Sequence, residues 1–230
     1  MKKFLIALFL CVLTTPTFSQ KVSDNTLKFL GFPVDGSKEK MIQNLKTKGF
    51  TYDAKSDELS GKFNGKDALI YISTNYGKVD RVYVGLYGLT DSKSQIIITF
   101  NNLIKQFENN SKYLALIPND PIPNEEDIYY EMTIHNKRYE AAFDLIPQDT
   151  VAFQQRLQSI YSEKYPDDLL AKLTEKEKEE ATKEMLLIAF EEWDKIITGR
   201  VWFILLHNYG KYYIGIYYDN LKNRPNGEDL

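Results

Sequence analysis

Cysteine is nearly absent from this chain. Its single thiol, Cys11, lies in an apolar run near the N-terminus. If that run leaves on export, the mature chain can hold neither a disulfide nor a thiolate metal site. Histidine is scarce as well. His135 and His207 are the two present, and each stands before an Asn where the pattern reads as a hairpin bend. Such positions suit solvated turn residues rather than a metal shell, so no metal and no cofactor is expected. Beyond the N-terminal run no apolar stretch approaches the ~20 residues that a membrane-spanning helix needs. Basic residues form no concentrated run and the formal charge is −3, which argues against nucleic-acid binding. A nucleophile elbow, a phosphate loop and a dinucleotide fingerprint are all missing. Acidic pairs such as Asp167-Asp168, Glu179-Glu180 and Glu191-Glu192 show no spacing that singles out a glycosidase pair, and they read as solvated faces. No catalytic residue is assigned.

What is present begins with an export signal. Met1-Lys2-Lys3 is a short positive start, Phe4 to Leu13 an uncharged apolar run, and Thr14-Thr15-Pro16 a helix break. Thr17-Phe18-Ser19 then places small residues where a signal peptidase reads them. Residues 1–19 are therefore expected to be a cleavable signal peptide, cut near Ser19-Gln20. Leu10 precedes Cys11, so no lipidation box exists there. The expectation is a periplasmic or secreted chain whose formal charge, once Lys2 and Lys3 leave, falls from −3 to −5.

The remainder, 20–230, reads as a single α+β domain. Ser37 caps a helix to about Lys48 with Met41, Ile42 and Leu45 on one side. Asp57–Phe63 and Asp67–Thr74 flank Asn64-Gly65, a strong two-residue hairpin signal. A turn at Asn75-Tyr76-Gly77-Lys78 leads into Val79–Tyr87. Ser92 opens a helix carrying Ile96, Phe100, Leu103, Ile104 and Phe107 at helical spacing. Ile128–Ile134 and Arg138–Ile146 read as a further hairpin. Helices follow from Asp149 or Thr150 and from the capping box Thr174/Glu177, and Val201–Leu206 with Tyr212–Tyr218 forms a last hairpin. The pattern predicts about three helix-plus-hairpin units, at 37–87, 94–146 and 176–218, giving an antiparallel sheet with helices on one face.

The chain also echoes itself. Asn-Tyr-Gly-Lys occurs at 75–78 and at 208–211, each ahead of a Tyr-aliphatic-Gly-aliphatic-Tyr run, 83–87 and 213–217. The two gaps differ by three residues, and an odd difference flips strand faces if register is kept. In each run the two tyrosines and the glycine share a face. Tyr83, Tyr87, Tyr213 and Tyr217 are thus the candidate binding residues, lining a shallow hollow with ring walls. The competing reading packs the same rings under a helix or pairs them across strands.

Phe29-Leu30-Gly31-Phe32-Pro33-Val34-Asp35-Gly36-Ser37 and the ending Tyr217-Tyr218-Asp219-Asn220 with 226–230 resemble the ends of a group of exported proteins of Gram-negative gut-type bacteria that have no assigned activity. The capped helix followed by a Tyr-rich hairpin is more distantly similar to periplasmic modules of the outer-membrane-assembly-lipoprotein and β-lactamase-inhibitor-like type. That resemblance implies a binding module and carries over no catalytic residue. The expected function is non-catalytic binding in the cell envelope, with a protein or glycan partner. The alternatives are a carboxylate hydrolase of envelope polymers and a structural envelope-maintenance protein.

Overall fold

The computed structural model describes residues 25–86, 92–208 and 210–225. Where the sequence reads as one domain, the chain divides into two compact units: a sheet unit made of Thr26–Leu145 with Thr198–Leu230, and a helical unit from Ile146 to Ile197.

The sheet unit is mixed α+β. Ten strands are described: β1 (Lys28–Phe29), β2 (Phe32–Pro33), β3 (Thr51–Asp53), β4 (Glu58–Phe63), β5 (Lys66–Asn75), β6 (Lys78–Leu86), β7 (Tyr113–Leu114), β8 (Glu140–Leu145), β9 (Gly199–Asn208) and β10 (Lys211–Asn220). β1 and β2 form a small ribbon. The other eight form one antiparallel sheet in the order β3-β4-β5-β6-β10-β9-β8-β7. Both outer strands are very short, which limits the open edge. Asn64 and Gly65 at the β4–β5 turn, and Tyr76 and Gly77 at the β5–β6 turn, all have positive φ, the backbone of tight hairpins whose twist matches the strands.

Two helices cover one face. α1 (Lys38–Lys46) starts at Ser37, whose hydroxyl accepts the Lys40 amide hydrogen, and it buries Met41, Ile42 and Leu45. α2 (Lys93–Glu108) starts at Ser92 and buries Ile96, Ile97, Phe100, Leu103 and Ile104. They pack on alternate strand residues, among them Ile70, Val84, Phe143, Phe203 and Ile216, all essentially solvent-free. Each large apolar side chain so buried contributes roughly 1.5–3 kcal/mol. Asn220 and Asn223 stitch the chain's two ends together. The Asn220 amide donates to Val34 O at 2.7 Å, and Asn223 donates to Asp35 Oδ1 and Val79 O at 2.8 Å each.

One expected hairpin is absent. Residues 128–134, read as a strand, form the helix α3 (Ile128–Ile134). Its composition is β-prone, but Asp127 caps it by accepting the Tyr130 amide hydrogen. Ile128 and Met132, four apart, both meet the core while Tyr130 between them is exposed, whereas alternation along a strand would send all three to one face. β8 pairs instead with β9 and β7.

The helical unit consists of α4 (Thr150–Lys164), the single turn α5 (Asp167–Leu170) and α6 (Glu175–Ile196). Thr174 and Glu177 close a complete capping box at the start of α6. Trp193 meets Phe153 edge-on, their centroids 5.3 Å apart, and the Tyr161 hydroxyl donates to Met185 O at 2.6 Å. Glu192, 7% exposed, accepts from both Arg156 and Lys195. The two cations hold its carboxyl below the ordinary range, Lys195 having the larger effect.

Candidate functional site

Strand alternation sends Tyr212, Ile214, Ile216 and Tyr218 of β10 into the core beneath the helices. Tyr213, Gly215, Tyr217 and Asp219 therefore point to the opposite face. The same rule places Tyr83 and Gly85 of β6 there. β6 and β10 are neighbours, with Gly215 opposite Gly85 and Tyr217 opposite Tyr83. The two echoed runs thus lie side by side and antiparallel. Of the four candidate tyrosines, Tyr83 and Tyr217 meet at 4.9 Å between centroids. Tyr213 stands on the same face, opposite Leu206 of β9. Tyr87 lies outside the described residues.

The register extends this pair into a row. Tyr71 of β5 is opposite Tyr83 and Trp202 of β9 is opposite Tyr217. Four aromatic rings from four adjacent strands therefore stand in line: Tyr71, Tyr83, Tyr217, Trp202. Their centroids are 5.9, 4.9 and 3.9 Å apart in turn, and Trp202 and Tyr217 are parallel to within 5°. Tyr71 is 36% exposed and the other three are half-buried. Space for the row comes from Gly215, where a Cβ would meet Tyr83 Cε2 at 3.0 Å.

A charged row lies one register step away. Arg81, Asp219, Arg200 and Asp144 are successive partners across β6, β10, β9 and β8. Arg81 donates twice to Asp219, at 2.6 and 2.8 Å, and this pairing raises its already high pKa. Its guanidinium carbon sits 5.3 Å from the Tyr217 ring centroid and 6.0 Å from that of Trp202, within the range of a cation–π attraction. Trp202 Nε1 donates to Asp219 Oδ2 at 3.0 Å, and Tyr71 donates to Glu58 at 2.5 Å. Arg200 grips the buried Asp144 at 2.5 and 3.2 Å. The polar groups beside the row are thus satisfied within the face, and its rings are locked in place.

Trp202 and Tyr217 spend one ring face each on the other, so the row is a ribbed strip of ring edges and not an open platform for a sugar ring. Its members, Tyr and Trp, and Arg81 beside them are of the types enriched in interface cores.

Elsewhere three acidic residues serve the fold. Glu126 accepts from Lys137 and from the Tyr139 hydroxyl. Those bonds, Lys137's first, lower its pKa, while burial pushes the Tyr139 phenol up. Asp127 caps α3 and Glu192 ties α4 to α6. His207 lies against Tyr129 and Tyr212, and His135 against Glu131 and Tyr130. Among the described residues no group of three His, Cys, Asp or Glu could hold a metal ion, and no helix is long and apolar enough to cross a membrane.

Sequence reasoning missed Tyr71, Trp202, Arg81 and Asp219. Trp202 was hidden because β9, Val-Trp-Phe-Ile-Leu-Leu at its centre, is apolar on both faces and shows no alternation. Tyr71 meets Tyr83 because the β5–β6 register shifts at Ser73/Thr74, which counting back from the Asn75–Lys78 turn does not reveal. No protein-family model, no curated protein and no solved structure matches this chain.

Proposed function

We propose that this is an exported, non-catalytic binding module of the cell envelope that meets a protein partner through the aromatic row. The row of Tyr71, Tyr83, Tyr217 and Trp202 carries the reading. Rings already fixed against one another lose little side-chain entropy when a partner covers them. Their exposed edges supply the apolar contact, and the paired charges beside them form a rim. A protein partner is favoured over a glycan because the two most closely stacked rings already have a neighbour on one face. Export rests on the tripartite pattern of residues 1–19.

The test is comparative crosslinking and capture in the native envelope with tagged wild type, Trp202→Ala, Tyr83→Ala and, as a control on exposed α6, Lys176→Ala. The expected outcome is one protein captured by wild type and control, and weakened by roughly thirtyfold in the two row variants, as for an interface hot spot worth about 2 kcal/mol. Equal capture by all four forms removes the row from function. Retention on purified envelope polysaccharide that depends on Trp202 transfers the site to a glycan. Mass spectrometry of the mature N-terminus checks cleavage after Ser19.

A further inference from the structure

The sheet unit has an internal two-fold order that its chain length conceals. α1 is followed by the meander β3-β4-β5-β6, and α2 is followed in chain order by β7, β8, β9 and β10. The sheet order β3-β4-β5-β6-β10-β9-β8-β7 sets these two meanders back to back. α1 packs on β5 as well as on β3 and β6, the first and last strands of its own meander, and α2 packs on β7 and β10, the first and last of the other.

The seam between the meanders is the β6–β10 pair. An axis through it, perpendicular to the sheet, passes through the Gly85–Gly215 pair, so each residue a given number of steps from Gly85 has its equivalent the same number of steps from Gly215. That operation superimposes Tyr83-Val84-Gly85-Leu86 on Tyr213-Ile214-Gly215-Ile216, the alignment of the sequence echo. The same operation exchanges the flanking pairs Val84–Ile216 and Leu86–Ile214, as any regular antiparallel ladder centred on Gly85–Gly215 must.

The odd spacing of the echo has a cause. The β5–β6 register slips at Ser73/Thr74, so that Thr74 faces Val79 while Ser73 faces Arg81. Asp80 is left over as a bulge. The extra residue turns an odd difference into an even one, and Val79 and Val82 both remain in the core. The remaining inequality between the halves lies in two connections. β4 meets β5 through Asn64-Gly65, whereas β8 meets β9 through the whole helical unit. β3 meets β4 through 54–57, whereas β7 meets β8 through 115–139 with α3.

We infer that the sheet unit is two copies of one helix-plus-four-strand module, joined about a two-fold seam as in a homodimer fused into one chain. α3 and the helical unit are insertions into turns of the second copy. The aromatic row departs from this order: Tyr71 faces Tyr83, but Leu206 faces the equivalent Tyr213. The glycines and core residues keep the symmetry, and the row breaks it.

If the seam rather than the connection holds the copies together, their order along the chain is interchangeable. The ends of the sheet unit are close, since Val34 accepts from Asn220 and itself donates to Leu27 O at 2.8 Å, so a short Gly/Ser linker can join them. The test is a circular permutant of the mature chain opened between Leu86 and Ser92, carrying Val84→Cys and Ile216→Cys as a reporter of the seam; the chain has no cysteine beyond Cys11. A second variant replaces residues 146–198 with Asn-Gly. The expected result is the 84–216 disulfide in both variants, none in a Val84→Cys/Ile214→Cys control, and unfolding midpoints lowered by no more than about 10 °C. A crosslink formed between two permutant chains also supports the seam. Failure of both variants to fold, or folding without the 84–216 crosslink, overturns the inference.

Discussion

Gly215 has no side chain, and Tyr83 uses the room this leaves. A Cβ there would stand 3.0 Å from Tyr83 Cε2 and 3.4 Å from Tyr217 Cε2. Gly215→Val should therefore displace both rings and cost about 1–3 kcal/mol, the usual penalty for an overfilled site, read as a lowered denaturant midpoint. The row should loosen with it, which near-ultraviolet circular dichroism would register as a weaker aromatic signal. A glycine between tyrosines on one strand face was legible in the sequence as a hollow. That the ring filling it comes from the other copy of the motif was not, because that contact spans more than a hundred residues of chain.

At the scale of the element, Asp80 is the informative residue. It is the extra residue of the β6 bulge, and its Oδ1 is buried without a hydrogen-bond partner among the described residues, a state that costs ~1–3 kcal/mol. Deleting Asp80 should leave Val79 and Val82 on the core face and alter stability by less than about 1 kcal/mol. Deleting Val82 instead shifts the rest of β6 by one position, turns Val84 outward, and should abolish cooperative unfolding. Equal damage from the two deletions in a denaturant titration would contradict the bulge. The capped helices and the Asn-Gly hairpin were legible because their signals are local. α3 was misread because Ile, Tyr and Thr favour strands by composition, while its Asp127 cap and the exposure of Tyr130 between the core-facing Ile128 and Met132 belong to a helix.

For the whole molecule, the carboxylates decide the response to pH. Asp35, held by Asn223, Glu126, held by Lys137 and Tyr139, and Glu192, held by Lys195 and Arg156, all have lowered pKa values. A carboxyl with a depressed folded pKa contributes stability that is full above its unfolded value, roughly 4, and is lost as pH falls through the folded value. Thermal or urea stability should thus be level from pH 5 to 7 in respect of these groups and decline below about pH 4. Glu192→Gln should flatten that decline in the helical unit, followed by Trp193 fluorescence in a Trp202→Phe background. An unchanged acid slope would show that the Arg156–Glu192–Lys195 cluster contributes little.

The α+β class, the hairpins β4–β5, β5–β6 and β9–β10, both helices over the sheet and the shared face of Tyr83, Tyr213 and Tyr217 follow from the sequence by itself, because alternation, capping and turn chemistry act over a few residues. The proposal of export rests on it alone. Only the tertiary structure decided which face each tyrosine shares with what. The β6–β10 pairing is set by packing between segments far apart in sequence, and it placed glycine opposite glycine at the seam; with the one-residue bulge of β6 and the β9–β10 hairpin it brought Tyr71 and Trp202 into line with the two echoed runs.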